Sequence, residues 1–371
     1  MRMPVFDRET SMFTAIRKRD ILIHFPYQSF DYLVRFIKEA ANNPFVSEIK
    51  LTQYRVAENS EIIDALVLAA QYKKKVTVFV EIKARFDEEN NIETAEAMKR
   101  KGIRIVYSTS GLKVHAKALL LKLKESPGHD TGESFAFMST GNFNEKTAKL
   151  YSDIGLFTCR QEITSELDQL FNILEGKESN RKFNTLLISQ FNMQYELIDR
   201  IQNEMELAKQ GKPARIILKM NGLQDSEMIR HLYEASQAGV KIDLIVRGIN
   251  CLVPNQPYSR NIRVVRIIDS YLEHARIWYF HAGGKDDIFI SSADWMKRNL
   301  NRRIESACPI SDPRLKHEIL SILETQLQDN TKACLIDEEL NNNYIRNGLP
   351  PIRSQRLRYD FLKQLDTADN E

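Results

Sequence analysis

The chain has 371 residues, of which 43% are hydrophobic and 28% are charged, and its formal net charge is +3. This composition indicates a globular protein of roughly two or three domains, and the small net charge excludes a protein that binds nucleic acid through a basic character of its whole surface. The four cysteines stand far apart without a CxxC pair, which argues against a zinc site or a disulfide framework and predicts a reducing, cytoplasmic environment.

Helix and strand patterns alternate through the first half of the chain. Residues 29–43 have the spacing of an amphipathic helix, residues 49–55 predict a strand, and residues 60–85 predict a helix followed by an apolar strand. The stretch KESPGHDTGES, residues 124–134, is rich in Pro, Gly, Ser and Asp and predicts an exposed turn. STGNFNEKT, residues 139–147, lacks the second glycine of a phosphate-binding P-loop, so we reject that motif.

The stretch GLKVHAKALLL, residues 111–121, is the most unusual predicted strand. Alternate residues of a strand point to opposite faces, so His115 and Lys117 are expected on one face, within about 7 Å of each other. A histidine flanked on its own face by ammonium groups contributes little to stability. The same arrangement suits a site that holds phosphate.

The second half of the chain repeats the first. Residues 226–250 match residues 60–85 at an offset of 166, and both segments predict a helix followed by a strand. A helix pattern at residues 191–211 and a strand pattern at residues 216–222 precede the second copy, as their counterparts precede the first. The chain therefore reads as a duplication of one α/β unit.

The unusual strand also recurs in the second half. SYLEHARIWYF sets His274 against His115 at an offset of 159. The small-residue turn that follows sets Asp294 against Asn142 at an offset of 152. The offset shrinks stepwise, as differences in loop length would make it.

The duplication predicts the fold class. We expect two tandem α/β domains, each a mixed, mostly parallel sheet flanked by helices. The polar and charged segment 173–184 marks the boundary, so the predicted domains are residues 1–182 and residues 183–371. The tail, residues 352–366, has helical periodicity and is expected to pack back on the second copy.

Each copy carries one His-x-Lys/Arg sequence: His115 with Lys117, and His274 with Arg276. One such pair would be a structural histidine beside a surface cation, but two at equivalent positions of a repeat predict a shared central site. Imidazole can be a nucleophile or a general acid at neutral pH, and a neighbouring cation disfavours protonated imidazole while it attracts phosphate oxygens. Three more cations follow predicted strands, where α/β sheets tend to bind ligands: Arg55, Arg85 and Arg247.

Paired HxK and HxR sequences, each followed by Asn or Asp in a small-residue turn, resemble the phospholipase D-like superfamily. Several longer segments resemble bacterial polyphosphate kinases of the first type: KLTQYRV, VEIKARFDEENN, GLKVHAK, TGNFNEKTAKLYSDIGL, IVRGINCLVP and EHARIWYF. The resemblance covers nearly the whole chain and implies two tandem phospholipase D-like domains. Because full-length members of the family are about twice as long, it also implies that this chain corresponds to their C-terminal catalytic half.

One position departs from phospholipase D, whose motif is HxKxxxxD. Lys122 and His281 occupy the aspartate position in the two copies. We therefore expect that an aspartate orienting the histidine for diester hydrolysis is absent. This argues against a phosphodiesterase.

The resemblance implies roles for individual residues. His115 would be the nucleophile that becomes phosphohistidine, and His274 would lie opposite, where it contacts nucleotide phosphate or acts as acid or base. Tyr151 and Arg247 match nucleotide-binding positions. We add four phosphate contacts of our own: Lys117, Asn142, Arg276 and Arg303.

Arg55 and Arg85 match positions that the family associates with magnesium. A guanidinium group is a hydrogen-bond donor without a free lone pair, so it does not ligate a metal ion. We expect the two arginines to hold phosphate oxygens that also coordinate Mg²⁺.

The implied function is reversible transfer of the γ-phosphate of ATP to inorganic polyphosphate through a phosphohistidine, with Mg²⁺ as cofactor and ATP or ADP as substrate. Without the family's N-terminal domains the activity is expected to be weak. Two alternatives stay open: a phospholipase D-like phosphodiesterase or nuclease, and a catalytically impaired module that only binds polyanions.

Partners and location follow from the same reasoning. No apolar run approaches the about 20 residues of a membrane-spanning helix, and MRMPVFDRETSMF lacks the apolar core of a signal peptide. We therefore predict a cytoplasmic protein without an integral membrane segment and without a nucleic-acid partner, and we leave peripheral membrane association open. The resemblance implies a homo-oligomer for full-length members of the family.

Overall fold

The computed structural model describes residues 1–53, 60–81, 88–108, 113–124, 133–177 and 181–368 of the chain. Within these ranges, only the backbone is described at residues 88–91 and 366–368. Arg55, Arg85 and most of the predicted turn at 124–134 lie outside the described residues.

Helices and strands alternate in both halves, as the periodicity predicts. The elements of the first half are α1 Pro4–Asp7, α2 Met12–Lys18, β1 Ile21–Phe25, α3 Asp31–Asn42, β2 Val46–Gln53, α4 Glu61–Gln71, β3 Lys75–Val80, α5 Glu88–Arg100, β4 Arg104–Tyr107, β5 Lys113–Val114, β6 Ala118–Leu123, β7 Ser134–Ser139, β8 Tyr151–Thr158 and α6 Gln161–Leu174. The elements of the second half are β9 Leu187–Ile188, α7 Met193–Lys209, β10 Arg215–Met220, α8 Ser226–Gln237, β11 Lys241–Val246, β12 Ile262–Ile267, β13 Leu272–Glu273, β14 Arg276–Phe280, β15 Asp287–Ser291, α9 Lys297–Arg302, β16 Arg303–Ile304, β17 Ser306–Ile310, α10 Pro313–Leu327, β18 Ala333–Ile336, β19 Asn342–Tyr344 and α11 Ser354–Ala368. None of the helices in the described ranges is both long and apolar enough to cross a membrane.

Each half forms one mixed sheet. The first sheet runs in the order β1-β8-β7-β6-β2-β3-β4, and the second in the order β19-β18-β12-β11-β10-β14-β15-β17-β9. Strands β2, β3 and β4 are parallel to one another, as are β10, β11 and β12. The other strand pairs along these two orders are antiparallel, so the predicted mixed character is confirmed while the expectation of mostly parallel pairing is wrong. Hairpin connections such as β6–β7 and β14–β15 impose antiparallel pairing, whereas helix crossovers are needed for parallel pairing.

A common apolar core joins the two sheets. It contains Leu120 and Ile154 from the first sheet and Ile217 and Ile277 from the second, all buried. Side chains of α6 and α10 complete this central layer, and separate apolar clusters cover the outer face of each sheet. The two halves are therefore packed face to face. The division at residues 182 and 183 stays a prediction.

The two halves also exchange short strands. β5 of the first half pairs with β16 of the second, and β13 of the second half pairs with β8 of the first. This exchange corrects the prediction of one continuous strand over residues 111–121. The strand is interrupted at His115, because the backbone N–H groups of His115 and Ala116 donate to the carbonyl of Ile304, at 2.8 and 2.9 Å.

Candidate active site

The same backbone arrangement holds both predicted histidines. His115 and its neighbour Ala116 donate to one carbonyl of the second half, as described above. His274 and Ala275 donate in the same way to the carbonyl of Ser152 in the first half, at 3.2 and 2.9 Å. Each histidine is thus fixed by a strand of the opposite half.

The ring of His115 contacts a carboxylate of the opposite half. Nδ1 lies 2.8 Å from Oε2 of Glu305, whose side chain is fully buried, while the His115 side chain is 12% exposed. Glu305 also accepts hydrogen bonds from Ser292 Oγ at 2.5 Å and Asn299 Nδ2 at 3.1 Å. When Glu305 is ionised, it fixes the Nδ1-protonated tautomer of the neutral imidazole. The lone pair of that tautomer is on Nε2.

The ring of His274 is held in the same way. Its Nδ1 lies 2.9 Å from Oδ2 of Asp153, and Thr140 Oγ1 donates to Oδ1 of that carboxylate at 2.6 Å. On its other side, Nη1 of Arg276 lies 3.1 Å from Nε2. Because a guanidinium only donates, the neutral tautomer with its proton on Nδ1 satisfies both neighbours.

These carboxylates correct the expectation that no acid orients the histidines. The acid is absent at the phospholipase D spacing, but Asp153 and Glu305 supply it across the interface between the halves. The sequence contained a signal for this pair, because Asp153 and Glu305 stand 152 positions apart, the same offset as Asn142 and Asp294. Matched acids at matched positions of a repeat would have identified both residues.

Cations surround His115. Burial lowers its pKa well below the ordinary value, and Lys117 and Arg303 lower it further. Burial also lowers the pKa of Lys117 to about 7. Burial raises the pKa of Glu305 to about 7, although Lys117 and Arg303 oppose that rise. The neutral imidazole, which is the nucleophilic form, is therefore favoured at His115.

A compact ion-pair network surrounds His274. Burial lowers the pKa of this histidine, and Asp153 opposes the shift. Arg276 forms a buried ion pair with Asp294 at 3.2 Å. Asp294 also accepts the backbone N–H of Asn221 at 2.7 Å, and its pKa is lowered to about 2 by these partners against the effect of burial.

Of the two predicted nucleotide-binding residues, Tyr151 contacts His274 directly, and Arg247 is linked to it through Asn221, whose Nδ2 donates to the His274 carbonyl at 2.9 Å. The ring of Tyr151 is tilted against the imidazole, with centroids 5.0 Å apart. Arg247 donates from Nε to Asn221 Oδ1 at 2.8 Å, and burial followed by the charge of Arg276 lowers its pKa.

The structure brings together most of the predicted site. Arg276 and Asp294 act electrostatically on His115 as well as on His274, so the two histidine clusters adjoin. Asn142 lies on the turn after β7, and its buried Oδ1 has no hydrogen-bond partner among the described residues. Arg55 and Arg85 fall outside the described residues, so their predicted positions stay predictions.

The described residues do not suit a protein-held Mg²⁺. Such a site needs several oxygen ligands, and no group of three or more His, Cys, Asp or Glu residues that could hold a metal occurs in the described part of the chain. The three carboxylates of the site are occupied by His115, His274 and Arg276.

Two family models match the chain. Polyphosphate kinase C-terminal domain 1 matches residues 11–180, and Polyphosphate kinase C-terminal domain 2 matches residues 186–355. The polyphosphate kinase of Klebsiella pneumoniae is 43% identical over 366 residues, which are 98% of this chain and 53% of that protein. The polyphosphate kinase of Synechocystis is 48% identical over 356 residues, or 95% of this chain and 48% of that protein. The chain spans about half the length of the curated relatives it matches.

Solved structures agree with the family match. The crystal structure of polyphosphate kinase from Porphyromonas gingivalis is similar with a TM-score of 0.94 and 53% identity, covering 99% of this chain and 56% of that one. Phosphatidylserine synthase of Haemophilus influenzae is similar in fold alone, with a TM-score of 0.57 and 11% identity over 94% of both chains. The predicted tandem phospholipase D-like architecture is confirmed.

Proposed function

The chain belongs to the polyphosphate kinase family, and on that premise we propose that it is the family's catalytic region. The proposed reaction is reversible transfer of the γ-phosphate of ATP to inorganic polyphosphate through a phosphohistidine at His115. The observation that carries the proposal is the pair of histidines, each fixed by a carboxylate of the opposite half beside buried cations.

The first step is attack on phosphorus by His115. Glu305 holds Nδ1, so the lone pair of Nε2 attacks the γ-phosphorus of ATP in line, and the bond to the β,γ-bridging oxygen breaks as ADP leaves. Lys117 and Arg303, whose charges act on His115, would neutralise the charge that develops on the transferred group.

The second step passes the phosphoryl group on. A terminal oxygen of polyphosphate attacks the phosphorus, the P–N bond breaks, and the lone pair returns to Nε2 of His115. Because one phosphoanhydride is broken and another is made, the net free-energy change is small and direction follows concentrations. His274, held by Asp153 and Arg276, faces the nucleotide phosphates or exchanges a proton with them.

The remaining contacts are assigned by position. Tyr151 and Arg247 would hold the nucleotide beside His274, and Arg276 and Asn142 would contact phosphate oxygens. Arg55 and Arg85 would hold phosphate oxygens that carry Mg²⁺ into the site as MgATP. These roles rest on the resemblance and, for Tyr151 and Arg276, on their contacts with His274.

The test is incubation of the chain with ATP, Mg²⁺ and a polyphosphate primer. Growth of the primer, together with an acid-labile, base-stable phosphate on His115, supports the proposal. Cleavage of a phosphodiester without nucleotide dependence would indicate a phospholipase D-like hydrolase. Polyphosphate binding that weakens steeply with salt, without chain growth, would indicate a polyanion-binding module.

The basic limb of the pH–rate profile should reflect the loss of a proton from Lys117. We expect kcat/KM for ATP to fall as pH rises through about 7, because burial lowers the pKa of this ammonium to about 7 and its loss of a proton removes charge from the site. The fall on the acid side should lie near pH 7, because burial raises the pKa of Glu305 to about 7 and its protonation removes the carboxylate that fixes the proton on Nδ1 of His115. His115 itself stays neutral in this range, because burial lowers its pKa well below the ordinary value. Steady-state kinetics from pH 5.5 to 9 measure both limbs.

A matched variant identifies the group. In Lys117→Arg the cation stays charged, so the basic limb should move to higher pH. The second half already carries an arginine, Arg276, at the equivalent position. An unchanged basic limb in Lys117→Arg would show that another group titrates there.

Location, partners and domain limits are also proposals. The free cysteines of the described chain support a cytoplasmic location, and the family supports ATP, ADP and polyphosphate as partners without nucleic acid. Peripheral membrane association stays open, and a homo-oligomer is proposed for the full-length protein. We keep residues 1–182 and 183–371 as the two domains.

A further inference from the structure

The C-terminal helix α11 contacts the first half of the chain through one buried arginine. Arg358 is 4% exposed, and its Nη1 donates to Ser152 Oγ at 2.8 Å. Its Nη2 lies 2.7 Å from Nδ1 of His24, and its guanidinium carbon lies 5.1 Å from the ring centroid of Tyr27. Each of these partners belongs to the first half, so Arg358 ties a helix of the second half to the opposite sheet.

The protonation state of His24 follows from this geometry. A guanidinium only donates, so Nδ1 of His24 must carry the lone pair. Nε2 therefore carries the proton, and it donates to Oε1 of Glu318 at 2.5 Å. Burial lowers the pKa of this histidine, which agrees with a neutral ring. His24 thus accepts a hydrogen bond from Arg358 and donates one to Glu318 of α10.

The other partner of Arg358 lies directly behind His274. The carbonyl of Ser152 accepts the backbone N–H groups of His274 and Ala275. The next residue, Asp153, holds the imidazole of His274. Residues 152 and 153 therefore fix both the backbone and the ring of this histidine, and Arg358 fixes the side chain of the first of them.

Helix α11 also forms hydrogen bonds with β13, the strand that pairs with β8. Gln355 Nε2 donates at 2.8 Å to Glu273 Oε1 and to the carbonyl of Tyr271, and Gln355 Oε1 accepts the Tyr271 N–H at 3.0 Å. Glu273 is the residue opposite Ser152 in the β8–β13 pair. Residues three apart on a helix share a face, so Gln355 and Arg358 together clamp both members of that pair.

We propose that Arg358 is a positioning residue for His274, which acts by fixing Ser152 in the strand pair that holds this histidine. The inference rests on the proposed function, in which His274 faces the nucleotide. Arg358 lies beyond residue 355, where the second family match ends. His115 is fixed differently, since Ser189 of the connecting segment donates to the carbonyl of Arg303 and accepts the N–H of Glu305.

The decisive variant is Arg358→Met, which keeps the length of the side chain and removes its donors. We expect kcat to fall roughly 10- to 100-fold, because small displacements of groups in a phosphoryl-transfer site are costly, while KM for ATP changes less than about threefold. Arg356→Met is the matched control. This arginine is exposed on the same helix, and we expect no change in kcat.

A second readout does not depend on turnover. Histidine NMR titration of the ligand-free chain should show that the pKa of His274 rises toward the ordinary value in Arg358→Met, because its ring is released from the buried site. The titration of His115 should stay unchanged. The titration still tests the role of Arg358 if the wild-type chain shows no kinase activity. That result would contradict the proposed function but not the positioning of His274 by Arg358.

Ser152→Ala covers the case in which Arg358→Met does not fold. It removes only the hydroxyl contact, and it should lower kcat and move the His274 titration in the same direction. In the double variant the two losses in kcat should not add, because each single variant already removes the same contact between Arg358 and Ser152. Arg358→Lys should recover part of kcat. Wild-type kinetics and titration in Ser152→Ala, or fully additive effects, would overturn the proposal.

Discussion

Replacement of His115 with alanine is expected to lower the rate of phosphoryl transfer by at least about 10³-fold, because the attacking atom is lost. Water does not substitute for imidazole in a step that stores the phosphoryl group on the protein. The acid-labile phosphate should disappear as well. Primer extension measured with labelled ATP, and acid and base treatment of the labelled protein, check both results.

The control for this variant is another histidine. His317 is exposed on α10, and His317→Ala should extend the primer at the wild-type rate. An acid-labile phosphate that persists in His115→Ala would place the nucleophile at a different residue. Phosphate lost in both variants would indicate a general effect on folding.

Replacement of Glu305 with glutamine is expected to lower kcat by up to about 10⁴-fold, the loss that follows when the carboxylate that orients the histidine of a Ser-His-Asp triad is neutralised. Glutamine keeps the size of the side chain, but it no longer fixes the proton on Nδ1 of His115. A fraction of the molecules then has the proton on Nε2 and lacks the attacking lone pair. Single-turnover phosphorylation of His115 measures this loss directly.

Stability separates this effect from misfolding. The raised pKa of Glu305 means that its ionised form opposes folding, and this cost grows as pH rises from about 4.5 to about 7 and is complete above that range. At pH 8 the glutamine variant should therefore unfold at a denaturant concentration no lower than wild type. A lower unfolding midpoint would attribute the loss of activity to the fold.

Glu234→Gln is the matched control for the carboxylate. Glu234 contacts Nδ1 of His231 on α8 at 3.1 Å, away from the site. This variant should keep wild-type kcat. An equal loss of rate in Glu234→Gln would show that the effect does not depend on the position of Glu305, but follows when any carboxylate beside a histidine is neutralised.

Local patterns predicted much of this molecule. Hydrophobic periodicity located α3, α4, α7, α8 and α11 to within a few residues, and the repeat aligned His115 with His274. These features depend on residues that are neighbours in the chain or in a duplicated unit. The tail was expected to pack on the second copy, and the structure adds a contact with the first half through Arg358.

Other features were missed because they depend on pairs that are distant in sequence. The partner of His115 is 190 positions away and that of His274 is 121 positions away. The predicted strand at residues 111–121 is interrupted because its backbone donors bond to the opposite half. Periodicity within one segment contains no information on that exchange.

The amino-acid sequence alone determined the elements, the duplication and the chemical character of the site, since these follow from side-chain type and spacing along the chain. Only the tertiary structure decided which carboxylate orients each histidine and which helix supports it. Those contacts arise from packing the two sheets face to face and exchanging β5 and β13, and packing of distant surfaces is a property of the whole fold.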